Sequence, residues 1–133
     1  INILGNYMFG FPDENYDTMQ ETLDLALELN CEHANFYAAM ALPGSPLYLY
    51  AKQNNWDIPK QFEEFAFLSY DCKPLRTKYL SGEEVLRFRD EAWHKYFTHK
   101  PFLDLVENKF GIEAKNNVVE MEKIKLKRKI LGE

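Results

Sequence analysis

The first third of the chain alternates between uncharged apolar runs and amphipathic stretches. Residues 2–9, NILGNYMF, carry no charge, which is typical of a strand in a parallel sheet that is covered on both faces. Gly10 and Pro12 end this run, and the Asp-Glu-Asn triplet at 13–15 supplies an N-cap and acidic residues for a first helical turn. Apolar residues then recur at helical spacing, which predicts a helix over about 15–30. They are Met19, Leu23, Ala26 and Leu27.

A second unit of the same kind follows. Residues 34–42, ANFYAAMAL, are again uncharged and predict a second buried strand, which PGSP at 43–46 ends. Ser45 is a suitable cap for the next helix, with Pro46 at the first position, and that helix is predicted to run to about Asn54. Strand, helix, strand and helix with short connections form a βαβα unit, so the two strands should be parallel with a right-handed crossover. The predicted fold class is therefore α/β.

The pattern changes after Trp56. Residues 57–80 contain two prolines and predict a mostly irregular connection with a short helix near 60–66. Five aromatic residues in this segment predict that it is buried against the rest of the protein. They are Phe62, Phe65, Phe67, Tyr70 and Tyr79.

Residues 81–133 are predicted to be helical throughout. The tetrapeptide SGEE at 81–84 is a capping box, Pro101 starts a second helix, Gly111 ends it, and a third helix is expected over about 114–131. The first of these helices has an apolar stripe that is expected to face the core. Its members are Val85, Phe88, Ala92 and Tyr96, with Leu86, Trp93 and Phe97 beside them.

Charge is unevenly distributed, within a net charge of −5. Residues 1–51 contain seven acidic side chains and no Lys or Arg, so a nucleic-acid surface on this part is disfavoured. The segment KIKLKRKI at 123–130 is basic, and a solvated helix face is favoured there over a contact with phosphate or anionic lipid. No apolar run approaches the roughly 20 residues that span a membrane.

The two cysteines, Cys31 and Cys72, lie far apart and belong to no Cys-x-x-Cys pair. This arrangement predicts buried free thiols in a cytoplasmic protein, without a disulfide framework. The three histidines, His33, His94 and His99, do not have the spacing of a metal site.

The acidic residues Asp13, Glu14 and Asp17 crowd the start of the first helix, at the carboxyl end of the first strand. Ligands bind at that end of strands in α/β proteins, but these carboxylates would repel a phosphate and would accept a neutral or cationic ligand. Helix capping alone also explains them and is the simpler interpretation. Since no nucleophile elbow, P-loop or complete acid–base set is present, the residues by themselves assign no catalytic residue and no metal ligand.

Two motifs together resemble a known superfamily. MFGFPDENYDTMQETLDLALELN, residues 8–30, resembles the fifth strand and following helix of radical S-adenosylmethionine enzymes. ANFYAAMALPGSPLYLYAKQNNW, residues 34–56, resembles the sixth strand and its helix. The subgroup with an upstream cobalamin-binding domain, which includes the anaerobic oxidative cyclase of porphyrin metabolism, is the most similar. Residues 78–111 also resemble its C-terminal helical extension.

This resemblance implies that residues 1–56 are the last two β/α units of a (β/α)6 partial TIM-type barrel. Residues 57–80 would then be a connection and residues 81–133 the helical C-terminal extension. The cofactors implied for the full-length protein are S-adenosylmethionine and a [4Fe–4S] cluster, and the subgroup adds cobalamin. The Cys-x-x-x-Cys-x-x-Cys ligands of the cluster are absent from this chain.

In that superfamily the fifth and sixth strands help to hold the adenine. The positions of this chain that match are Met8, Phe9, Gly10, Ala41 and Leu42. An acidic position of the motif falls on Asp13 in one alignment and on Glu14 in another, and the pattern leaves both open. Asp13 also stands where the superfamily commonly has Gly, and Asn15 where it has Thr.

The expectation is thus the C-terminal part of a radical S-adenosylmethionine Fe–S oxidoreductase or methyltransferase-type enzyme, inactive by itself. A first residue that is Ile and not Met adds to the expectation of a fragment. Its partners would be the upstream part of its own barrel and a small-molecule substrate, and the isolated fragment would dimerise or aggregate through open strand edges. The alternative is a stand-alone, non-catalytic α/β interaction module.

Overall fold

The computed structural model describes all residues 1–133. Two strands and five α-helices follow the predicted order, with a short 3₁₀ helix in the connection and another near the C-terminus. The elements are β1 (Leu4–Phe9), α1 (Tyr16–Leu29), β2 (His33–Ala38), α2 (Pro46–Gln53), a 3₁₀ helix (Phe62–Phe65), α3 (Gly82–Phe97), α4 (Lys100–Phe110), α5 (Ile112–Glu122) and a second 3₁₀ helix (Lys129–Leu131).

The two strands form a parallel pair, as predicted, with a register that runs from Leu4 opposite His33 to Phe9 opposite Ala38. Side chains alternate between the two faces, and α1 and α3 cover only one of them. On the other face, Leu4 is 50% exposed and Met8 40% exposed. The expectation that both faces are covered is therefore not met within this chain. We call this uncovered side, formed by residues 4, 6, 8, 33, 35 and 37, the open face.

Aromatic rings fill the core between the sheet and α3. Phe9 is fully buried, and its ring lies 5.9 Å from Phe36 and 5.1 Å from Phe88. Tyr96 is also fully buried and donates its hydroxyl to the Cys31 carbonyl at 2.7 Å. Burial of each such ring contributes about 2 kcal/mol. Phe88 and Tyr96 are members of the apolar stripe predicted on α3, and both lie in this core, so the stripe does face the core.

The predicted caps are confirmed. Asn15 and Thr18 form a reciprocal capping box at α1, and Ser81 and Glu84 form another at α3. Ser45 accepts a hydrogen bond from the Tyr48 N–H at α2. These caps satisfy N–H groups that a helix leaves free at its start, which is why the local sequence located the helix starts correctly.

Two other predictions are corrected. The second strand ends at Ala38 and not near residue 42, because the Ala39 carbonyl leaves the sheet to accept the Leu75 N–H. In the 57–80 connection, Phe65 and Phe67 pack against the core cluster formed by Met40, Cys72 and Leu86. Three other aromatics remain at the surface, contrary to the expectation. Phe62 is 89%, Tyr70 49% and Tyr79 66% exposed.

The C-terminal segment differs most from its prediction. α5 ends at Glu122, and residues 124–128 form neither helix nor strand, where a helix to about 131 was expected. Arg128 is fully buried, so the interpretation of residues 123–130 as a solvated helix face is wrong. Its guanidinium donates from Nε and Nη2 to the two carboxylate oxygens of Asp90 on α3, both at 2.9 Å. Nη1 donates to the carbonyls of Phe67 and Ser69 at 3.1 and 3.0 Å.

An ion pair ties the start of β2 to α4. Glu32 accepts the Ile3 N–H at 2.8 Å and pairs with Lys109. These contacts stabilise the ionised carboxylate, and the hydrogen bond from Lys109 contributes most to lowering the pKa of Glu32 to about 2.

Both cysteines are buried and unbonded, as predicted. No helix has the length and apolar character needed to cross a membrane.

Candidate functional site

The carboxyl ends of β1 and β2 meet at one edge of the sheet, because the strands are parallel. The Ala39 N–H donates to the Phe9 carbonyl at 2.6 Å, so the pairing continues just beyond the last strand residues. The structure therefore brings the segment Met8–Gly10 close to the segment that leads to Ala41 and Leu42. The two motif loops, which are separated by about 30 residues of sequence, therefore begin at the same edge of the sheet.

The predicted adenine-wall residues differ in accessibility. Phe9 and Ala41 are fully buried, main chain included, so neither residue presents an accessible atom at the surface of this chain. Met8 and Leu42 are 40% and 46% exposed and present apolar side chains at this edge.

Gly10 is required by packing. Its φ is +89°, and a Cβ at this position would lie 2.5 Å from Cγ1 of Val85 on α3. A side chain there would push α3 away from the end of β1 and would also be strained in the backbone. The glycine thus sets how closely α3 approaches the candidate site.

The two candidate acidic residues have different positions. Glu14 turns back over the strand end, where Oε2 accepts the N–H groups of Gly10 and Phe11, both at 2.8 Å. Asp13 faces outward and pairs with Lys78, whose pKa is raised by that hydrogen bond. Glu14 is therefore the acidic residue that shapes the loop after β1, and its carboxylate occupies the N–H groups that an anionic ligand would use.

The open face of the sheet continues from this edge. Asn35 donates its side-chain amide to the Asn6 side chain at 3.1 Å, with Met8 and Tyr37 next to them towards the carboxyl end. The Tyr37 ring contacts Phe67 at 5.2 Å. Neutral amide groups beside an apolar thioether suit a neutral ligand better than a phosphate.

The residues of this chain do not fit an iron–sulfur cluster. No three His, Cys, Asp or Glu side chains are grouped so as to hold a metal ion. Both cysteines are buried and free, and only Cys72 belongs to a core cluster, with Met40 and Leu86. His94 places Nδ1 3.1 Å from Glu122 Oε1.

The sequence analysis missed one further feature, a cavity of about 470 Å³ along the outer edge of β2. We call it the edge cavity. Its walls are β2, α3 and the C-terminal segment, including Trp93, Phe97, Ile124 and Leu126. The sequence did contain a signal for this wall of the cavity. Lys alternates with Ile or Leu at 123–127, which is a strand pattern with period two and not a helical one.

Comparison with known proteins gives a limited result. The geometry defines a mixed α/β unit with a parallel strand pair. Over 97 residues the chain is 24% identical to an uncharacterized methyltransferase of Pyrococcus horikoshii, a match that covers 73% of this chain. The same match covers 20% of the Pyrococcus protein, so the chain spans about one fifth of that relative's length. No family model matches the chain, and no solved structure matches it significantly.

Proposed function

We propose that the chain is the C-terminal part of a radical S-adenosylmethionine oxidoreductase or methyltransferase-type enzyme. In this proposal the edge formed by the carboxyl ends of β1 and β2 is one wall of the adenine site. The open face is a wall of the substrate cavity. The chain supplies no cluster ligand and has no activity by itself.

The observation that carries the proposal is the meeting of the two motif loops at one sheet edge, beside an open face that is polar at its centre. A parallel pair with helices on one face only has the geometry of a segment of a barrel wall, whose inner face is completed by other strands. The similarity to a methyltransferase supports the use of S-adenosylmethionine. The residues proposed to contact the adenine directly are Met8 and Leu42, whose side chains are exposed. Phe9, Gly10 and Ala41 are buried and are proposed to shape the wall behind them.

Glu14 has a supporting role in this proposal. By holding the N–H groups of Gly10 and Phe11, it fixes the loop after β1 in one conformation. A preformed loop lowers the ordering cost of ligand binding. S-adenosylmethionine, when bound, would supply the reactive methyl or adenosyl carbon. This chain would bind the adenine and exclude water from one side of it.

The first experiment reads the coding sequence upstream of Ile1 and then uses the complete polypeptide. We expect Cys-x-x-x-Cys-x-x-Cys within roughly the preceding 150–200 residues, the size of the missing barrel strands. In the complete protein, Met8→Ala should weaken S-adenosylmethionine binding by about tenfold, measured by calorimetry under anaerobic conditions. Leu4→Ala is the matched control, since Leu4 is on the same face at the other end of β1. Absence of the cysteine motif, or equal effects of the two variants, would contradict the proposal.

The alternative of a stand-alone interaction module makes a different prediction about β1. This strand has β2 as its only hydrogen-bonded neighbour, and Leu4 and Met8 beside its free edge are exposed. A partner strand from the rest of a barrel would cover such an edge, which otherwise promotes association. Light scattering of the isolated chain should therefore show dimers or larger species, and a uniform monomer would favour the stand-alone module.

A further inference from the structure

The outer edge of β2 has hydrogen-bonding groups without partners in the chain. His33 and Ala39 donate their N–H groups to β1, and because strand residues alternate, Ala34 and Phe36 direct theirs to the opposite side. The Phe36 carbonyl is satisfied by Arg89 Nε at 2.7 Å. The N–H groups of Ala34 and Phe36 make no hydrogen bond within the chain. These groups lie along the edge cavity.

The opposite wall of the edge cavity, formed by the C-terminal segment, also has backbone N–H groups without partners. Residues 124–127 belong to no helix or strand, and the N–H groups of Lys125, Leu126 and Lys127 make no hydrogen bond within the chain. Ile124 and Leu126 line the cavity but remain 66% and 40% exposed. A strand edge and a segment without regular secondary structure, both with unpaired backbone N–H groups, therefore border one cavity.

Both ends of residues 124–127 are anchored. At one end, the Ile124 N–H donates to the Met121 carbonyl at the end of α5. At the other, Arg128 is held by Asp90, and the Lys129 N–H donates to the Tyr70 carbonyl at 2.9 Å. The segment between these anchors contains three residues, 125–127, whose N–H groups make no hydrogen bond. Its apolar residues alternate with lysines, which is the pattern of a strand with one buried face.

We propose that residues 124–127 form a strap that closes onto β2 as a third strand. In the closed form the strap pairs with the N–H groups of Ala34 and Phe36, and Ile124 and Leu126 enter the edge cavity. Four residues of strand extend about 13 Å, enough to pair with the middle of β2. Closure protects the edge of β2, which would otherwise be a site of strand addition by another molecule. The inference is independent of the proposed adenine site.

Amide hydrogen exchange followed by NMR on the complete chain tests the strap. We expect the amides of Ala34 and Phe36 to exchange at least about tenfold more slowly than freely exposed amides. The Ala39 amide, which donates to Phe9, is the internal reference for an intact sheet. Exchange of Ala34 and Phe36 at the rate of exposed amides, with Ala39 protected, would overturn the proposal.

Two proline variants sharpen this test, because only alternate residues of a strand donate to a given neighbour. Of Lys125→Pro and Leu126→Pro, one removes a strap N–H that donates to a β2 carbonyl, so it should weaken the pairing and reduce the protection of Ala34 and Phe36. The other should largely retain that protection, with Ala39 protected in both. Equal effects of the two prolines would overturn strand pairing. Protection that rises with protein concentration would also overturn the strap, since a second copy would then cover the edge.

Discussion

Replacement of Arg128 tests how the C-terminal segment is held. Arg128→Met removes the guanidinium but keeps an unbranched apolar side chain of comparable length. The side chain is fully buried and makes four hydrogen bonds, two to Asp90 and two to main-chain carbonyls. Its loss leaves the Asp90 carboxylate without its bidentate partner.

The magnitude follows from the surroundings of Asp90. Removal of one partner of a buried ion pair costs about 3–5 kcal/mol. The Asp90 side chain is 20% exposed and keeps a second cation, since Arg89 Nη1 lies 2.8 Å from Oδ1. We therefore expect the free energy of unfolding to fall by about 3 kcal/mol, the lower end of that range. Because a domain is stable by only about 5–15 kcal/mol, this is a large fraction.

Urea denaturation followed by circular dichroism measures the difference. Lys127→Met is the matched control, because Lys127 is exposed and makes no ion pair, so its variant should lie within about 0.5 kcal/mol of the wild type. Arg128→Lys keeps the charge but loses the two-pronged contact and should fall between them. If Arg128→Met unfolds at the same urea concentration as Lys127→Met, the buried pair does not hold the segment and the reasoning is refuted.

Three further predictions concern the core and the sheet. Gly10→Ala should lower the free energy of unfolding by about 1–3 kcal/mol more than Gly44→Ala, measured by thermal unfolding. Both glycines have positive φ, but only a Cβ at Gly10 would meet α3. Equal losses in the two variants would disprove the clash. Tyr96→Phe should lower the free energy of unfolding in urea by about 1–3 kcal/mol, because the buried Cys31 carbonyl loses its hydrogen-bond donor. A loss below roughly 0.5 kcal/mol, the usual effect of a neutral substitution, would contradict this. The folded pKa of Glu32, about 2, lies below its ordinary value of 4.5, so its stabilisation is present above pH 4.5 and lost as pH falls towards 2. Glu32→Gln should therefore flatten the acid side of the stability–pH curve, and an unchanged curve would show that this carboxylate is not the group responsible.

Local sequence was sufficient for the helix starts and for the parallel strand pair. Asn15, Ser45 and Ser81 carry short side chains that cap the N–H groups of the next turn, and this interaction needs only neighbouring residues. The apolar stripe of α3 was predicted for the same reason, since helical period alone defines it. The common edge at which both motif loops begin also followed from sequence, because parallel strands align their carboxyl ends.

Tertiary structure decided the rest. Sequence could not choose between Asp13 and Glu14, because the choice depends on which carboxylate reaches the N–H groups of Gly10 and Phe11. It could not predict that Arg128 is buried, since its partner Asp90 is 38 residues away and an isolated KIKLKRKI segment is most stable when solvated. Nor did it reveal the edge cavity, which exists only where β2, α3 and the C-terminal segment meet. Periodicity and capping are encoded within a few residues, whereas burial of a charge and the formation of a cavity depend on contacts between distant segments.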